Sequence, residues 1–435
     1  MLLANAIIIN ENRRFKGYVR IVDGIITEVA EGRYSGPDND ITDLDGCWLI
    51  PGVIDSHVHF REPGLTDKAD IRSESRAAAA GGVTSFFDMP NCRPATVTAD
   101  AWRDKMARAA KDSAVNYAFY IGATADNIDT LRDADYRHTP GVKLFLGQST
   151  GSMQVTGEAL DSIFSLPRII SVHSEGQGII DANAKAIAAE YPDGEVPVER
   201  HPDIRNAEAC LKCTREAVER AERLGTRLHI LHITTADELQ FLAADRPLEE
   251  KSVTAEACVT HLWFDADDYR SLGARIKCNP AVKDSRHRLA LLQAVADGRI
   301  DVVSTDHAPH RLADKEGGAL KAASGMPSIQ FSLQAMTELS LQGHFPMERV
   351  VEVMAHNQAR LFGIERRGFI RPGYYADLTV IDPRRPMTVT PDVIVSKCGW
   401  SPYEGVTFST TIAATYVNGR PAGEATPMPL AFGID

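Results

Sequence analysis

Long apolar runs are missing from this sequence. None approaches the ~20 residues a helix needs to cross a bilayer, and the first residues carry no basic stretch ahead of an apolar one. A cytoplasmic protein with no membrane partner is therefore expected. Positive charge is also short: 47 Lys and Arg stand against 59 Asp and Glu, a formal net charge of −12. That balance argues against a nucleic-acid-binding surface, which needs clustered cations. It leaves room for an anionic small substrate, because one arginine can dominate a small site. Cysteines form no framework. There are seven, and Cys210 and Cys213 make a single C-x-x-C within "RNAEACLKCTREAVERAERLG". That segment reads as an amphipathic helix, and no second pair lies nearby to complete a zinc site. The odd count fits reduced thiols. Low-complexity tracts and solenoid repeats are absent too, and no G-x-G-x-x-G follows the first barrel-type strand, which argues against a dinucleotide-binding open sheet.

What is present divides the 435 residues by pattern. Residues 1–50 run in short alternating pieces ("LLANAIIIN", "GYVRIVDGIITEVA", "DGCWLI") punctuated by Gly and Asp-Gly, which marks strands and hairpins. Residues 366–435 look alike ("GFIRPGYYADLTVIDP", "TTIAATYVNGRP"), so both ends are expected to pair into one small β-sandwich domain. Residues 51–365 instead alternate apolar strand-like runs with helical stretches. Eight strand candidates appear: "GVIDSHVHF", "VTSFFDMPN", "VNYAFYIGAT", "GVKLFLG", "RIISVHSE", "RLHILHIT", "SVTAEACVTHL" and "DVVSTDHAPH". Eight β-then-α units predict an α/β fold, a closed (β/α)8 TIM barrel.

Several strand candidates end in residues that bind metal. His57 and His59 close the first, Lys143 sits in the fourth, His173 ends the fifth, His232 the sixth and Asp306 the eighth. In a barrel these ends converge at the C-terminal mouth. His57 and His59, at i and i+2, point to one side of a strand and can share one ion. A single buried histidine is more often a hydrogen-bonded core residue than a ligand, and His138, His201, His229, His261, His287, His344 and His356 are read that way. The H-x-H joined by two strand-end histidines and a strand-end aspartate, in barrel order, reads as a metal centre. A charged Lys143 beside divalent cations would be repelled. Its neutral amine can react with carbon dioxide to give a carbamate that bridges two ions; the plainer alternative is a lysine snorkelling to the rim. Two ions bridged by hydroxide provide a nucleophile at neutral pH, since coordination lowers the pKa of water to ~7. Asp306, ligand and acid/base at once, can carry a proton from it to a leaving nitrogen. Zinc suits the donors, without excluding manganese or cobalt.

"PGVIDSHVHFREPG", "AAAAGGVTSFFDMPN" and "STDHAPH" closely resemble the dihydroorotases, a branch of the amidohydrolase superfamily, and the likeness extends to the closing "GFIRPGYYADL". The resemblance implies that His57, His59 and Asp306 bind one zinc, His173 and His232 a second, and carboxylated Lys143 bridges them. It assigns Arg61, Asn91 and His310 to the substrate's α-carboxylate, and places Asn279 and the Ser324–Pro327 turn against the pyrimidine ring. The implied reaction is reversible cyclisation of N-carbamoyl-L-aspartate to L-dihydroorotate. A homodimer and association with aspartate transcarbamoylase come with the resemblance. The chain departs from the commoner pattern at Gly176, at Ala281 and across Ser324–Gln330, yet keeps every ligand position. A hydantoinase, dihydropyrimidinase or allantoinase would share the ligands but has little use for Arg61, Asn91 and His310 together. A non-catalytic partner of aspartate transcarbamoylase would be expected to lose ligands.

Overall fold

In the computed structural model, which describes residues 1–34, 36, 40–148 and 153–433, the eight expected strands form a closed parallel barrel. They are Val53–Val58, Val83–Asp88, Asn116–Phe119 with its continuation Ile121–Gly122, Val142–Phe145, Ile169–His173, Arg227–Ile230, Val253–Cys258 and Val302–Ser304. Each pairs with the next in chain order. The ring closes where Val58 bridges His307 and the His59 N–H donates to the His307 carbonyl at 2.7 Å. The third strand divides at Tyr120: its first part pairs with the second strand and its continuation with the fourth. Nearly every strand residue is buried, as expected of parallel strands with helices outside and a filled interior.

Local chemistry explains the helices. Ala207–Leu224 begins where the Asn206 side chain accepts from the Ala209 N–H and ends at Gly225 in the left-handed region, φ 69°. Its buried face carries Cys210 and Cys213, so the C-x-x-C serves packing, and all seven cysteines are free thiols. Helix Ala99–Asp112 buries Lys105 completely, where its ammonium pairs with Asp88 and donates to the Met89 carbonyl at 2.8 Å. Asp88 in turn accepts from the Phe60 N–H at 2.7 Å, which pins the turn that presents His59 and Arg61. No described helix is long and apolar enough to cross a membrane.

Both chain ends build the second β unit. Its sheet runs in the order Arg420–Pro421, Thr411–Val417, Leu378–Asp382, Trp48–Pro51, Leu2–Asn10, Arg13–Val22, Ile25–Glu31, with Ile41–Asp43 also paired to Leu2–Asn10. Side chains alternate along a strand, and here the alternation separates two cores. Ile8, Leu49, Val380 and Tyr416 pack among themselves inside the β unit, while Ile9, Ile50, Ile381 and Val417 join the barrel's main core. At this junction Asp377 pairs with buried Arg367 and accepts from the Asn116 side chain and the Asn418 N–H at 2.8 Å. The last described residues return to the barrel, where Leu430 and Phe432 pack on Phe87, Tyr120 and Phe362. The segment around Trp400 crosses to the mouth, where its indole N–H donates to the His310 carbonyl at 2.7 Å.

Removing one member of a buried ion pair strands the other charge, which costs on the order of 3–5 kcal/mol. Asp377→Ala should lower the free energy of unfolding by about that amount in denaturant titration.

Candidate metal centre

A cavity of about 240 Å³ opens at the C-terminal ends of the barrel strands, and it gathers all ten residues singled out from the sequence. His57, His59, Lys143, His173, His232 and Asp306 form its floor group, and Arg61, Asn91, Asn279 and His310 also line it. The remaining well-placed histidines stay out. His229 bonds the Thr254 hydroxyl at 2.9 Å, His261 the Pro280 carbonyl at 3.0 Å and His201 the Cys278 carbonyl at 2.9 Å.

Several of these residues lie just past the ladders rather than in them. The sixth strand ends at Ile230 and the eighth at Ser304, so His232 and Asp306 sit two residues beyond. Both have left-handed backbones, φ 39° and 48°, and Arg61 has φ 68°. Such conformations cost a non-glycine residue on the order of 1–3 kcal/mol and persist only where surrounding bonds impose them. The bonds are present. Glu256 accepts from the His232 N–H at 3.2 Å, and Asp55 takes the Thr305 N–H and hydroxyl at 3.2 and 2.6 Å.

Proton placement decides what the centre can hold. Glu256 Oε1 lies 2.7 Å from His57 Nδ1, and Asn91 Oδ1 lies 2.7 Å from His59 Nδ1. A carboxylate and an amide oxygen only accept, so each imidazole carries its proton on Nδ1 and leaves Nε2 bare. Those bare Nε2 atoms lie 3.3 and 3.0 Å from one oxygen, Asp306 Oδ1. Burial holds His59 down to about 4, so it is neutral at physiological pH. Burial opposes the Asp306 charge, yet its carboxyl is held below the usual carboxylate range, with Lys143 among the groups that lower it. Three lone pairs thus converge with no proton among them, which fits a cation. His57, His59 and Asp306 form one of two metal-capable groups among the described residues. The other, His57 with Glu256 and Cys258, already spends its carboxylate on the His57 proton, and burial keeps the Cys258 thiol protonated.

A second pair adjoins the first. His173 Nε2 lies 3.0 Å from Glu175 Oε2, so His173 Nδ1 is bare, and it faces His232 Nε2 at 2.9 Å. Glu175 stays ionised at about 2: burial opposes the charge, and Arg205 beside it prevails. The His57 and His232 rings are 5.4 Å apart, so the two groups share one space. Lys143 is 1% exposed and acts electrostatically on Asp306, His173 and His232 together. Burial pushes its amine down to about 7.

The cavity's other wall is cationic. Arg61 is 5% exposed; its Nε donates to the Pro309 carbonyl at 3.0 Å and its Nη2 lies 3.0 Å from His310 Nε2. Among the described residues no carboxylate pairs with Arg61. Asn279 Oδ1 is buried without a hydrogen-bond partner among the described residues. Gly325 is demanded by its φ of 136° and by the Ala308 carbonyl, 2.5 Å from where a Cβ would stand. Sequence reasoning did not single out Glu256, Glu175 or Lys68, which lies 3.1 Å from His310 Nδ1. Only Glu256, an acid inside the apolar run "SVTAEACV", offered a signal.

Comparison with known proteins places these residues in context. Residues 48–422 match the amidohydrolase family. Similar relatives include a dihydroorotase of Halobacterium salinarum, 36% identical over 361 residues and covering 82% of each chain. An allantoinase of Bacillus velezensis is 33% identical over 411 residues, 92% of this chain and 89% of its own. Among solved structures, the L-hydantoinase of Arthrobacter aurescens superposes with a TM-score of 0.91 at 26% identity, over 97% of this chain and 95% of that one.

Partners that fix a ligand's proton typically contribute 10–100-fold to metal affinity. Glu256→Gln should weaken metal retention on the order of 10-fold or more in chelator competition, with the fold preserved by circular dichroism.

Proposed function

The chain belongs to the amidohydrolase family, hydrolases of cyclic amides, and from that premise we propose that it is a dihydroorotase, interconverting N-carbamoyl-L-aspartate and L-dihydroorotate. One observation carries the substrate choice. Arg61 is a buried guanidinium that reaches the cavity with no carboxylate in ion-pair contact among the described residues. A buried charge without a partner is costly. An anionic substrate removes that cost, and a guanidinium fork matches a carboxylate. The likeness to an allantoinase, which spans 92% of this chain, favours the competing reading of an uncharged ring. Arg61 weighs against it, and the complete ligand set weighs against a non-catalytic partner subunit.

In this reading Arg61 and His310 hold the carboxylate and Asn279 Oδ1 accepts from a ring N–H. Asp306 Oδ1 is turned to the histidines, so Oδ2 is the atom that takes a proton from the attacking water and returns it to the departing ring nitrogen. In the opposite direction the same oxygen takes a proton from the ureido nitrogen as it closes on the side-chain carboxyl, and returns it to the carboxyl oxygen that leaves as water. Two divalent ions, zinc by the imidazole and carboxylate donors, would be held by His57, His59 and Asp306 and by His173 and His232, supplying a nucleophilic hydroxide at neutral pH and polarising the carbonyl. The Lys143 amine, which burial makes easier to deprotonate, can add to carbon dioxide with loss of a proton, giving a carbamate that would offer oxygens to both groups. A homodimer, a cytoplasmic location and contact with aspartate transcarbamoylase belong to the same proposal.

Metal-loaded protein should turn over dihydroorotate, and not dihydrouracil, hydantoin or allantoin; activity confined to the uncharged rings would overturn the assignment. Asp306→Asn should lower kcat by at least ~10²-fold while the fold persists, as expected on losing a general base. Arg61→Met should cost on the order of 2–5 kcal/mol in kcat/KM for dihydroorotate, expressed mainly in KM.

A further inference from the structure

We propose that Lys68 is a specificity-determining positioning residue: by donating to His310 Nδ1 it fixes the imidazole proton on Nε2, so that His310 and Arg61 together present donors to an anionic group of the substrate. The inference deepens the carboxylate-substrate reading and rests on it.

The argument is a proton count. The Lys68 Nζ lies 3.1 Å from His310 Nδ1. An ammonium only donates, so this contact favours a bare Nδ1 and, in a neutral imidazole, a proton on Nε2; Arg61, a donor 3.0 Å from Nε2, favours the opposite, and the acceptor at Nε2 decides between them. The Ser324 carbonyl, 3.1 Å from Nε2, accepts that proton. The other tautomer would set an N–H against the ammonium and a lone pair against a carbonyl oxygen. With the proton on Nε2, the contact between Arg61 Nη2 and His310 Nε2 at 3.0 Å brings two donors together with no acceptor between them. A carboxylate oxygen entering there accepts from Arg61 and shares the Nε2 proton with the Ser324 carbonyl. His310 is kept from taking a second proton by its burial and by the cations around it, Arg61, Lys68 and Lys315. Lys315 is itself held by the carbonyls of Lys277, Ala323 and Gly325.

Neither partner depends on the Lys68 side chain for its place. The Lys68 N–H donates to the Leu65 carbonyl at 3.1 Å, the Leu65 N–H to the Arg61 carbonyl at 3.0 Å, and Lys397 reaches the Thr66 carbonyl at 2.6 Å. The His310 backbone is tied separately by the Trp400 indole at 2.7 Å. Substituting Lys68 therefore changes the proton on His310 rather than the loop that carries it.

The test uses the metal-loaded full chain with ¹⁵N-labelled histidine, the His310 signals assigned by their loss in His310→Asn. The wild type should show the Nε2–H tautomer. Lys68→Met should shift His310 toward a tautomer mixture and raise KM for L-dihydroorotate ~10-fold or more with kcat nearly unchanged, the scale of one charge-assisted hydrogen bond. Lys68→Gln, whose amide N–H can still donate to Nδ1, should keep the tautomer and recover most of the KM. An Nδ1–H tautomer in the wild type, or Lys68→Met with unaltered His310 shifts, would overturn the proposal, as would an unaltered KM. Wild-type protein inactive on dihydroorotate contradicts the substrate reading alone, because the imidazole shifts decide the role of Lys68 without turnover.

Discussion

Two bare imidazole nitrogens and a carboxylate oxygen repel one another at about 3 Å unless a cation sits among them. The rest of the site follows from that constraint. His57 and His59 can present bare Nε2 atoms only because Glu256 and Asn91 hold their protons on Nδ1. Glu256 also takes the His232 backbone N–H, so one buried carboxylate sets the tautomer of a histidine in the first group and the backbone of one in the second. Glu175 does for His173 what Glu256 does for His57, with Arg205 keeping it ionised. The barrel supplies the convergence, and buried acids behind the ligands supply the proton placement.

The opposite wall works with the opposite sign. Arg61 and Lys68 bring positive charge to a cavity whose floor gathers imidazoles and Asp306. In the proposed reading that separation orients the substrate, with its anionic end toward the cations and its reactive carbonyl toward Asp306. The terminal β unit takes part through Trp400, which ties the backbone of His310 from a segment 90 residues further along the chain.

The barrel was legible because eight apolar runs alternate with helical stretches, and the β unit because both ends share hairpin punctuation. The candidate ligands stood out because polar residues at the ends of apolar strands have few other uses; all of them line the cavity. What sequence reasoning left out are partners rather than ligands. Glu256 acts on a histidine 199 residues away and Lys68 on one 242 residues away, contacts that no local pattern encodes. The left-handed backbones of Arg61, His232 and Asp306 were not singled out, since none is a glycine, and the modest preference of histidine and aspartate for that region does not mark a particular position. Asn91 shows a finer point: the resemblance assigned it to the substrate carboxylate, and its amide oxygen also holds His59, a contact no motif announced.

The central claim is that the lone pairs of His57, His59 and Asp306 converge on a cation, with His173 and His232 holding a neighbour. Anomalous X-ray scattering at the zinc edge, from crystals of the purified protein, tests it most directly. The account predicts two peaks, one ~2.0–2.2 Å from His57 Nε2, His59 Nε2 and Asp306, the other at the same range from His173 Nδ1 and His232 Nε2. Absence of any metal peak at these atoms after incubation with zinc would contradict it.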